Sequence, residues 1–518
     1  MDVWCADKAK RIMTNTRPAM TDMAFLSLHS GKNAISSGQI ALREIADFCI
    51  TAITFENFTD PEILPEGAVC SYIQEYMTFN DGIPYPDPLS PTASATVPAH
   101  FTQTIWICAA VSAEAKSGVC GFRVCVHTSR GDYTVPVSLT VHEVCIPNGR
   151  EAAFSLEYFI GGLEYWDQYF PKYGPQWWKL MESYAEMLTE MRNNVLNVFV
   201  FPFLKDAGSR RISETEWALN WNRLGEYLRF MLSHMEIKWI CCGSMIQPVD
   251  GDTIPAFDEN GGEIQLRIGT PEADSWARAI YGGLYAFFCE NGWVSMLKMR
   301  LQDEPHHTKC WIWAREQCRH YMPGIVCGEP LDTHQIAVEL KSYCDQYIPR
   351  INVYDEDPDF YRQRQKDGDE VWVYSCCYPE ESWFLNKFID QPHVYSRLMT
   401  WACYTQEITG FLHWGFAYWL VPEYGMDKTS RFKGDGFIVY PDTEKGGLKK
   451  SVRLFATRDG IYEYELLKIA EKKFPEEAKA LASSLARSFR DFTEDPEQVA
   501  QAAIRLLELA SRAVAGAD

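Results

Sequence analysis

Two adjacent carboxylic acids, Asp303 and Glu304, follow an apolar segment and precede Pro305. The apolar segment Met296–Gln302 predicts a short buried strand that ends at the acids. The ends of the strands at the mouth of an α/β barrel are where such a fold carries its catalytic groups. Helix capping is the second interpretation, with Asp303 as the N-cap residue and Pro305 in the first turn. On this segment alone both interpretations stay open.

Paired acids beside aromatic residues are typical of active sites that cleave a glycosidic bond. The reaction needs a protonated acid near the leaving oxygen and a second group that stabilises the oxocarbenium-like centre. In an extended strand Asp303 and Glu304 would point to opposite faces, but at a strand end, where the backbone turns, both can reach one cleft. A substrate-assisted mechanism suits them there. The 2-acetamido oxygen of the sugar attacks the anomeric carbon, Asp303 orients the amide and Glu304 protonates the leaving group.

Further side chains with possible chemistry follow the later predicted strands: Glu329, Asp355, Glu356, Asp357, Trp372, Tyr374, His413 or Trp414, and Trp419. Trp372 and Tyr374 are two residues apart and are expected on one side of their strand, where both are candidate substrate-binding residues. The acids are more typical of solvated loops or helix caps, and the tryptophans fit a cleft wall and a core equally. His306 and His307 fit an exposed first helical turn better than a metal site. The adjacent Cys376 and Cys377 are predicted to be buried apolar filling.

An alternation of apolar runs and amphipathic segments must position these groups. Eight runs are predicted as strands: Phe154–Ile160, Val195–Phe201, Lys238–Met245, Met296–Gln302, Gly324–Cys327, Arg350–Tyr354, Glu370–Cys377 and Gly410–Phe416. Seven segments between them are predicted as helices: Gln176–Arg192, Glu214–Met235, Asp274–Glu290, Thr308–Tyr321, Thr333–Tyr347, Asp359–Lys366 and Val394–Glu407. Eight strands alternating with helices over about 270 residues match a (β/α)₈ TIM-like barrel. A doubly wound open sheet is the competing topology, but the first strand is not followed by a Gly-x-Gly-x-x-Gly motif.

The chain of 518 residues is long enough for several domains. Short strands rich in Val, Thr and aromatic residues predict a β-sandwich over residues 1–147. The catalytic barrel is expected over residues 148–445 and a C-terminal helical extension over residues 446–518. The sequence does not specify an oligomeric state.

The bulk composition excludes some classes of partner. A net charge of −21 argues against nucleic acid and against an anionic membrane surface, since both require basic protein surface. The 17 cysteines show no zinc-type spacing, so neither a metal nor another cofactor is expected. The absence of a signal-like segment and the unpaired pattern of the cysteines predict a cytoplasmic protein.

Five motifs in this order resemble glycoside hydrolase family 123 and its relatives of unknown function. They are Gln302–Pro305, Glu370–Pro379, Gly410–Trp419, Gly434–Pro441 and Ser451–Ile461. The likeness covers roughly residues 150–470, and Tyr85–Leu89 is similar to the family's leading β-sandwich.

The resemblance implies an exo-acting β-N-acetylgalactosaminidase with Asp303 as the amide-stabilising residue and Glu304 as the general acid/base. Tyr374 is then the candidate for a hydrogen bond to the amide or oxazoline, and Trp414 and Trp419 would wall the sugar subsite. Two departures from the family's pattern, Tyr462 and Asn352, leave the acid pair intact.

We therefore predict an enzyme that releases a non-reducing β-linked N-acetylhexosamine, GalNAc ahead of GlcNAc, with retention through an oxazoline. The first rival is a glycosidase for a sugar without an acetamide, in which Glu304 pairs with Glu329 or Asp355. The second rival is a non-catalytic carbohydrate-binding protein built on a barrel that has lost its activity.

Overall fold

A computed structural model describes residues 1–20, 22, 24–243, 252–306 and 308–515. Its N-terminal region is rich in sheet. Ten strands make up this region: β1 Asp2–Asp7, β2 Leu26–Lys32, β3 Ala34–Arg43, β4 Phe48–Glu56, β5 Val69–Thr78, β6 Pro84–Ser90, β7 Ala95–Val97, β8 Thr102–Val111, β9 Gly118–Thr128 and β10 Gly131–Cys145. They lie in two sheets, and residues of both sheets share one apolar core.

Alternation of buried and exposed residues explains these strands. Along β10, Val135, Val137, Leu139 and Val141 are buried and the residues between them are more exposed. Successive side chains of a strand point to opposite faces, so a period of two buries one face of the sheet.

A parallel sheet follows. Its strands are β11 Ser155–Tyr158, β12 Val195–Phe199, β15 Trp239–Gly243, β18 Leu297–Met299, β19 Val326–Leu331, β20 Gln346–Pro349, β21 Glu370–Val371, β22 Val373–Tyr374 and β23 Gly410–His413. Two antiparallel hairpins lie outside this sheet: β13 Arg210–Ser213 with β14 Glu216–Ala218, and β16 Thr253–Phe257 with β17 Glu263–Arg267.

The two ends of the parallel sheet are adjacent in the chain. The order of its nine strands is β21-β20-β19-β18-β15-β12-β11-β23-β22. Only Trp372 separates β21 from β22, so one short segment pairs with β20 at its start and with β23 at its end. The result is a nearly closed, barrel-like parallel sheet. Its strands are buried almost throughout, as expected where both faces of a sheet are covered.

Twelve helices are found among the described residues. They are α1 Pro175–Glu190, α2 Val200–Asp206, α3 Asn222–His234, α4 Pro271–Glu290, α5 Thr308–Tyr321, α6 His334–Glu339, α7 Ile351–Tyr354, α8 Pro358–Lys366, α9 His393–Thr405, α10 Val452–Glu471, α11 Pro475–Leu485 and α12 Pro496–Ala515. None of them combines the length and apolar character needed to cross a membrane.

Most predicted elements are found within a few residues, and the largest error concerns the sixth strand. Arg350–Tyr354, predicted as the sixth strand, is the short helix α7, and the strand is β20, inside the segment predicted as helix Thr333–Tyr347. The β-rich run Gln346–Pro349 is too short to be separated from a helical period by pattern alone. The predicted helix Glu214–Met235 begins later than expected, at Asn222, and its early residues Glu216–Ala218 form β14. The predicted end of Lys238–Met245 lies outside the described residues.

The later part of the chain joins the two regions. β24 Tyr440–Asp442 and β25 Gly447–Ser451 extend the first N-terminal sheet, because β25 pairs antiparallel with β6. The helix α10 is buried nearly along its whole length, and its Phe455 packs against Trp106 of β8 with ring centroids 5.7 Å apart. A helix buried all round is one that fills a core between other elements.

Candidate active site

The acids Asp303 and Glu304 line one cavity of about 370 Å³ beyond the end of β18. Glu304 has a φ of +42°, in the left-handed region that non-glycine residues rarely adopt. This turn takes the backbone out of the extended conformation, in which neighbouring side chains point to opposite faces. The cavity is of the size that takes a small ligand, roughly 300–1,000 Å³.

Aromatic residues form much of the cavity wall: Phe159, Phe199, Tyr374, Trp414, Tyr418 and Tyr424. They come from the ends of β11, β12, β22 and β23 and from the loop after β23. Flat rings with polar edges provide both apolar faces and hydrogen-bonding tips. Such a wall can hold a ligand that is itself apolar on its faces and polar at its rim, as a pyranose is.

Tyr374 links the wall to the acid pair. Its hydroxyl donates a hydrogen bond to the Oε1 atom of Glu304. Burial and the neighbouring charge of Glu304 raise the pKa of Tyr374 well above its usual range, so the phenol keeps its proton. Tyr374 therefore holds Glu304 by donating to its carboxylate.

Asp303 is solvent-exposed through the cavity and surrounded by protein on its other sides. Burial of its carboxyl group, and next the charge of Glu304, raise the pKa of Asp303 to about 6. The buried Glu157 acts in the same direction and Arg300 acts against it. Two neighbouring carboxylates resist losing both protons, so the pair keeps one proton to a higher pH than an isolated acid would.

Glu329, at the centre of β19, fixes the segment that leads to the pair. It is fully buried, and its Oε1 accepts hydrogen bonds from the N–H groups of Leu301 and Gln302 and from the indole N–H of Trp311. Burial raises the pKa of Glu329 well above its usual range. Two consecutive backbone N–H groups on one carboxyl oxygen determine where the chain leaves β18.

A buried ion pair lies beneath the cavity. Arg300 donates to Glu157 at 3.0 Å and to Gln346 at 2.6 Å, and Asn197 donates to the other oxygen of Glu157 at 3.0 Å. All four side chains are buried. Buried charges of this kind persist where they are paired and hydrogen-bonded.

Trp414 is held at the cavity by its polar edge. Its indole nitrogen donates to Oδ2 of the buried Asp435 at 2.8 Å, and its ring lies 5.0 Å from Tyr418 and 5.4 Å from Tyr424 between centroids. His413 is buried behind it, with Nε2 at 3.3 Å from Asp435. Of the two side chains predicted at the end of the eighth strand, Trp414 lines the cavity and His413 does not.

Trp372 and Trp419 differ from the expectation that they line the sugar site. Trp372 is 1% exposed, in the barrel interior below Tyr374, with the Lys298 ammonium 5.1 Å from its ring centre. Trp419 is 4% exposed, and its indole nitrogen donates to the carbonyl of Val439 at 2.8 Å. A residue two positions earlier on a strand points the same way but lies one layer deeper, which explains Trp372.

The alternative acids do not join the pair on the cavity wall. Glu329 is occupied by its buried hydrogen bonds, and Asp355 follows the helix α7 and pairs with Arg490 at 2.8 Å. Asp357 caps α8 by accepting from the N–H of Phe360. These places correct the expectation that Asp355 ends a barrel strand.

Two features of the cavity were missed from the sequence. Cys376 and Cys377, predicted to be buried filling, are half-buried and line it. Tyr418 and Tyr424 come from the loop after β23, whose aromatic residues gave the only signal.

Among the described residues no group of three or more potential ligands could hold a metal ion. His306 is exposed at 3.9 Å from Asp332, and His307 lies outside the described residues.

Comparisons with known proteins identify the family of the chain. The family model described as "Glycoside hydrolase 123, catalytic domain" matches residues 166–470. A family 123 glycoside hydrolase from Clostridium perfringens, analysed for glycolipid glycan hydrolysis, has a similar fold with a TM-score of 0.78 and 13% identity over 99% of this chain and 98% of that one. A family 5 glycoside hydrolase from Bacteroides vulgatus gives a TM-score of 0.35 and 12% identity over 62% of this chain and 68% of that one. No curated protein matches the chain.

Proposed function

The chain belongs to glycoside hydrolase family 123, and from this premise we propose that it releases a non-reducing β-linked N-acetylhexosamine, with GalNAc preferred to GlcNAc. The proposed mechanism retains the configuration of the anomeric carbon and passes through an oxazoline formed by the acetamide of the substrate. The preference for GalNAc is inferred from the resemblance to the family. The glycolipid glycan hydrolysis studied for the C. perfringens enzyme supports a glycan as the substrate.

The observation that carries the proposal is that Asp303 and Glu304 share one cavity although they are neighbours in the chain. They are the two carboxylates of the cavity wall in the part of the chain that the structure describes. The usual retaining mechanism needs a nucleophile and an acid on opposite sides of the sugar. Adjacent residues fit this requirement poorly. A substrate that brings its own nucleophile removes the requirement, and one acid can then orient the acetamide while the other acts on the leaving group.

The proton of the pair has a defined path in this proposal. Before the substrate binds, Tyr374 donates to Glu304, and the raised pKa of Asp303 keeps a proton there up to about pH 6. The N–H of a bound acetamide would donate to Asp303, which favours its ionised form. The proton then belongs on Glu304, beside the glycosidic oxygen. From there it passes to the leaving group as the acetamide oxygen attacks the anomeric carbon.

The remaining wall supports recognition of a sugar. The ring of Trp414 is fixed by Asp435 and flanked by two tyrosines, so it offers a rigid apolar face. Tyr374, on release from Glu304, is within the same cavity as the acetamide and can donate to its oxygen or to the oxazoline. Preorganised donors of this kind favour the charge that develops in the transition state.

The test is a panel of aryl β-glycosides of GalNAc, GlcNAc, galactose and glucose, combined with a thiazoline analogue of the oxazoline. We expect turnover of the two N-acetylhexosaminides, with GalNAc faster, and competitive inhibition by the thiazoline. Turnover of galactoside or glucoside without thiazoline inhibition would instead support a glycosidase that does not use the acetamide. Lack of turnover on all four, with binding of the free sugars retained, would favour the non-catalytic alternative.

A further inference from the structure

The cavity wall carries two adjacent thiols, Cys376 and Cys377, for which the proposed hydrolysis has no use. Both are half-buried and line the same cavity as Asp303 and Glu304. They follow Tyr374, so the segment that presents the phenol to Glu304 also presents the thiols.

The two thiols contact each other and are held by their surroundings. The backbone N–H of Tyr378 lies 3.4 Å from the sulfur of Cys376, and the amide of Asn386 donates to the Cys376 carbonyl at 2.9 Å. The hydrogen bond with Cys376 lowers the pKa of the Cys377 thiol, although burial opposes it. The same contact, and next burial, raise the pKa of Cys376 well above its usual range. The contact between the two sulfurs therefore favours ionisation of Cys377 and disfavours ionisation of Cys376.

Access distinguishes this pair from other close thiols. Cys318 and Cys327 lie 3.4 Å apart between sulfurs, but both are fully buried. Cys70 is exposed and interacts with Cys108, which is buried in the N-terminal sheet. Neither of these pairs lines the cavity.

We propose that Cys376 and Cys377 form a dithiol site that takes trivalent arsenicals and similar soft electrophiles able to bridge two sulfur atoms. With phenylarsine oxide, two sulfur–arsenic bonds form, the arsenic–oxygen bond breaks, and the two thiol protons leave with the oxygen as water. No atom changes oxidation state. The adduct occupies cavity space beside Glu304, so binding blocks the substrate; this consequence, unlike the binding itself, rests on the proposed function.

The test treats the full-length protein with one equivalent of phenylarsine oxide and locates the adduct by intact and peptide mass. We expect one arsenical on the peptide that contains both cysteines, removed by a dithiol such as dimercaptopropanol and not by a monothiol at the same thiol concentration. The second sulfur bond is intramolecular, so losing it costs roughly 100-fold or more in apparent affinity. Cys376→Ser and Cys377→Ser should each show that loss, and Cys70→Ser, which removes the thiol pair of the N-terminal sheet, should not.

The mass readout separates this proposal from the proposed function. An adduct on this peptide without any glycoside turnover would support the dithiol site and contradict the proposed hydrolase function. Turnover with an arsenical mapped elsewhere, or with equal affinity in Cys377→Ser, would overturn the site. An adduct that leaves turnover and sugar binding unchanged would overturn the blocking of the cavity. Mapping the adduct on the wild-type protein does not depend on the variants. It therefore tests the location of the dithiol site even if a serine variant fails to fold.

Discussion

Replacing Glu304 with Gln removes a proton donor from the cavity and keeps most of its shape. The hydroxyl of Tyr374 donates to a carboxylate oxygen of Glu304, and the amide oxygen of Gln can accept the same hydrogen bond. The side chain keeps its length, and Asp303 stays in place to orient the acetamide. The change in rate therefore reports the loss of the acid rather than a rearranged wall.

The magnitude depends on the leaving group. A positioned general acid contributes roughly 10²–10⁴-fold, or about 2.7–5.5 kcal/mol of activation free energy. We expect that loss in kcat/KM for a methyl or disaccharide GalNAc substrate, whose leaving oxygen must be protonated. The nitrophenyl group of an aryl GalNAc substrate leaves as a stable phenolate without protonation. For this substrate kcat/KM should therefore fall by less than about tenfold.

A second signature concerns the pKa of Asp303. The charge of Glu304 is the largest cause after burial that raises this pKa to about 6. Neutral Gln removes that charge. The rising limb of kcat/KM against pH for the nitrophenyl substrate, which follows ionisation of Asp303, should therefore lie below pH 6 in the variant.

The assay compares initial rates of wild type, Glu304→Gln and the matched control Glu380→Gln on both substrates from pH 4 to pH 8. Glu380 is an exposed acid outside the cavity, and its variant should match the wild type. Equal losses on the two substrates, or an unshifted pH limb, would refute the assignment of Glu304 as the proton donor.

Three further predictions concern the cavity and a buried ion pair between β6 and α10. For an alkyl GalNAc substrate, kcat/KM of the wild type should fall about tenfold per pH unit above about pH 6, because the acid pair then loses the proton held by Asp303. A flat profile up to pH 8 would contradict this. Asp87→Ala should lower the free energy of unfolding, measured in urea, by about 3–5 kcal/mol. The substitution removes the carboxylate that lies 3.0 Å from the buried Arg453 guanidinium. A loss under about 1 kcal/mol would show that the ion pair is dispensable. Trp414→Phe should lower the free energy of unfolding by about 1–3 kcal/mol and raise KM, because the buried carboxylate of Asp435 loses the indole N–H donor that holds the ring. An unchanged KM would show that this ring does not belong to the sugar site.

The sequence predicts the alternation of strands and helices well because most of the buried strands lie within mainly apolar segments. It fails at β20, where the polar Gln346 and the terminal Pro349 hide a four-residue strand next to helix-like residues. That error moved the predicted strand end by five residues. It made Asp355 look like a barrel acid, although this side chain lies beyond α7 and pairs with Arg490.

The acid pair could be predicted because it needs only residue type and position at a strand end. The aromatic wall was predicted in part, since Tyr374 and Trp414 line the cavity and Trp372 and Trp419 do not. Depth along the barrel axis separates these residues, and a linear pattern reports the face of a strand but not its layer. The thiols were misjudged for the same kind of reason: an apolar context predicts burial and cannot show that a cavity opens beside it.

Asp303 and Glu304 beyond β18 and Glu329 within the neighbouring β19 have similar sequence signals, yet their surroundings differ. Glu329 is sealed from solvent with its carboxyl group on two backbone N–H groups, and burial raises its pKa well above the usual range. Because it fixes where the chain leaves β18, it determines that the turn at Glu304 occurs at the cavity. Arg300, paired with the buried Glu157, opposes the rise in the pKa of Asp303. The electrostatics of the acid on the cavity wall thus depend partly on buried charges, and only the folded chain shows which acids line the cavity.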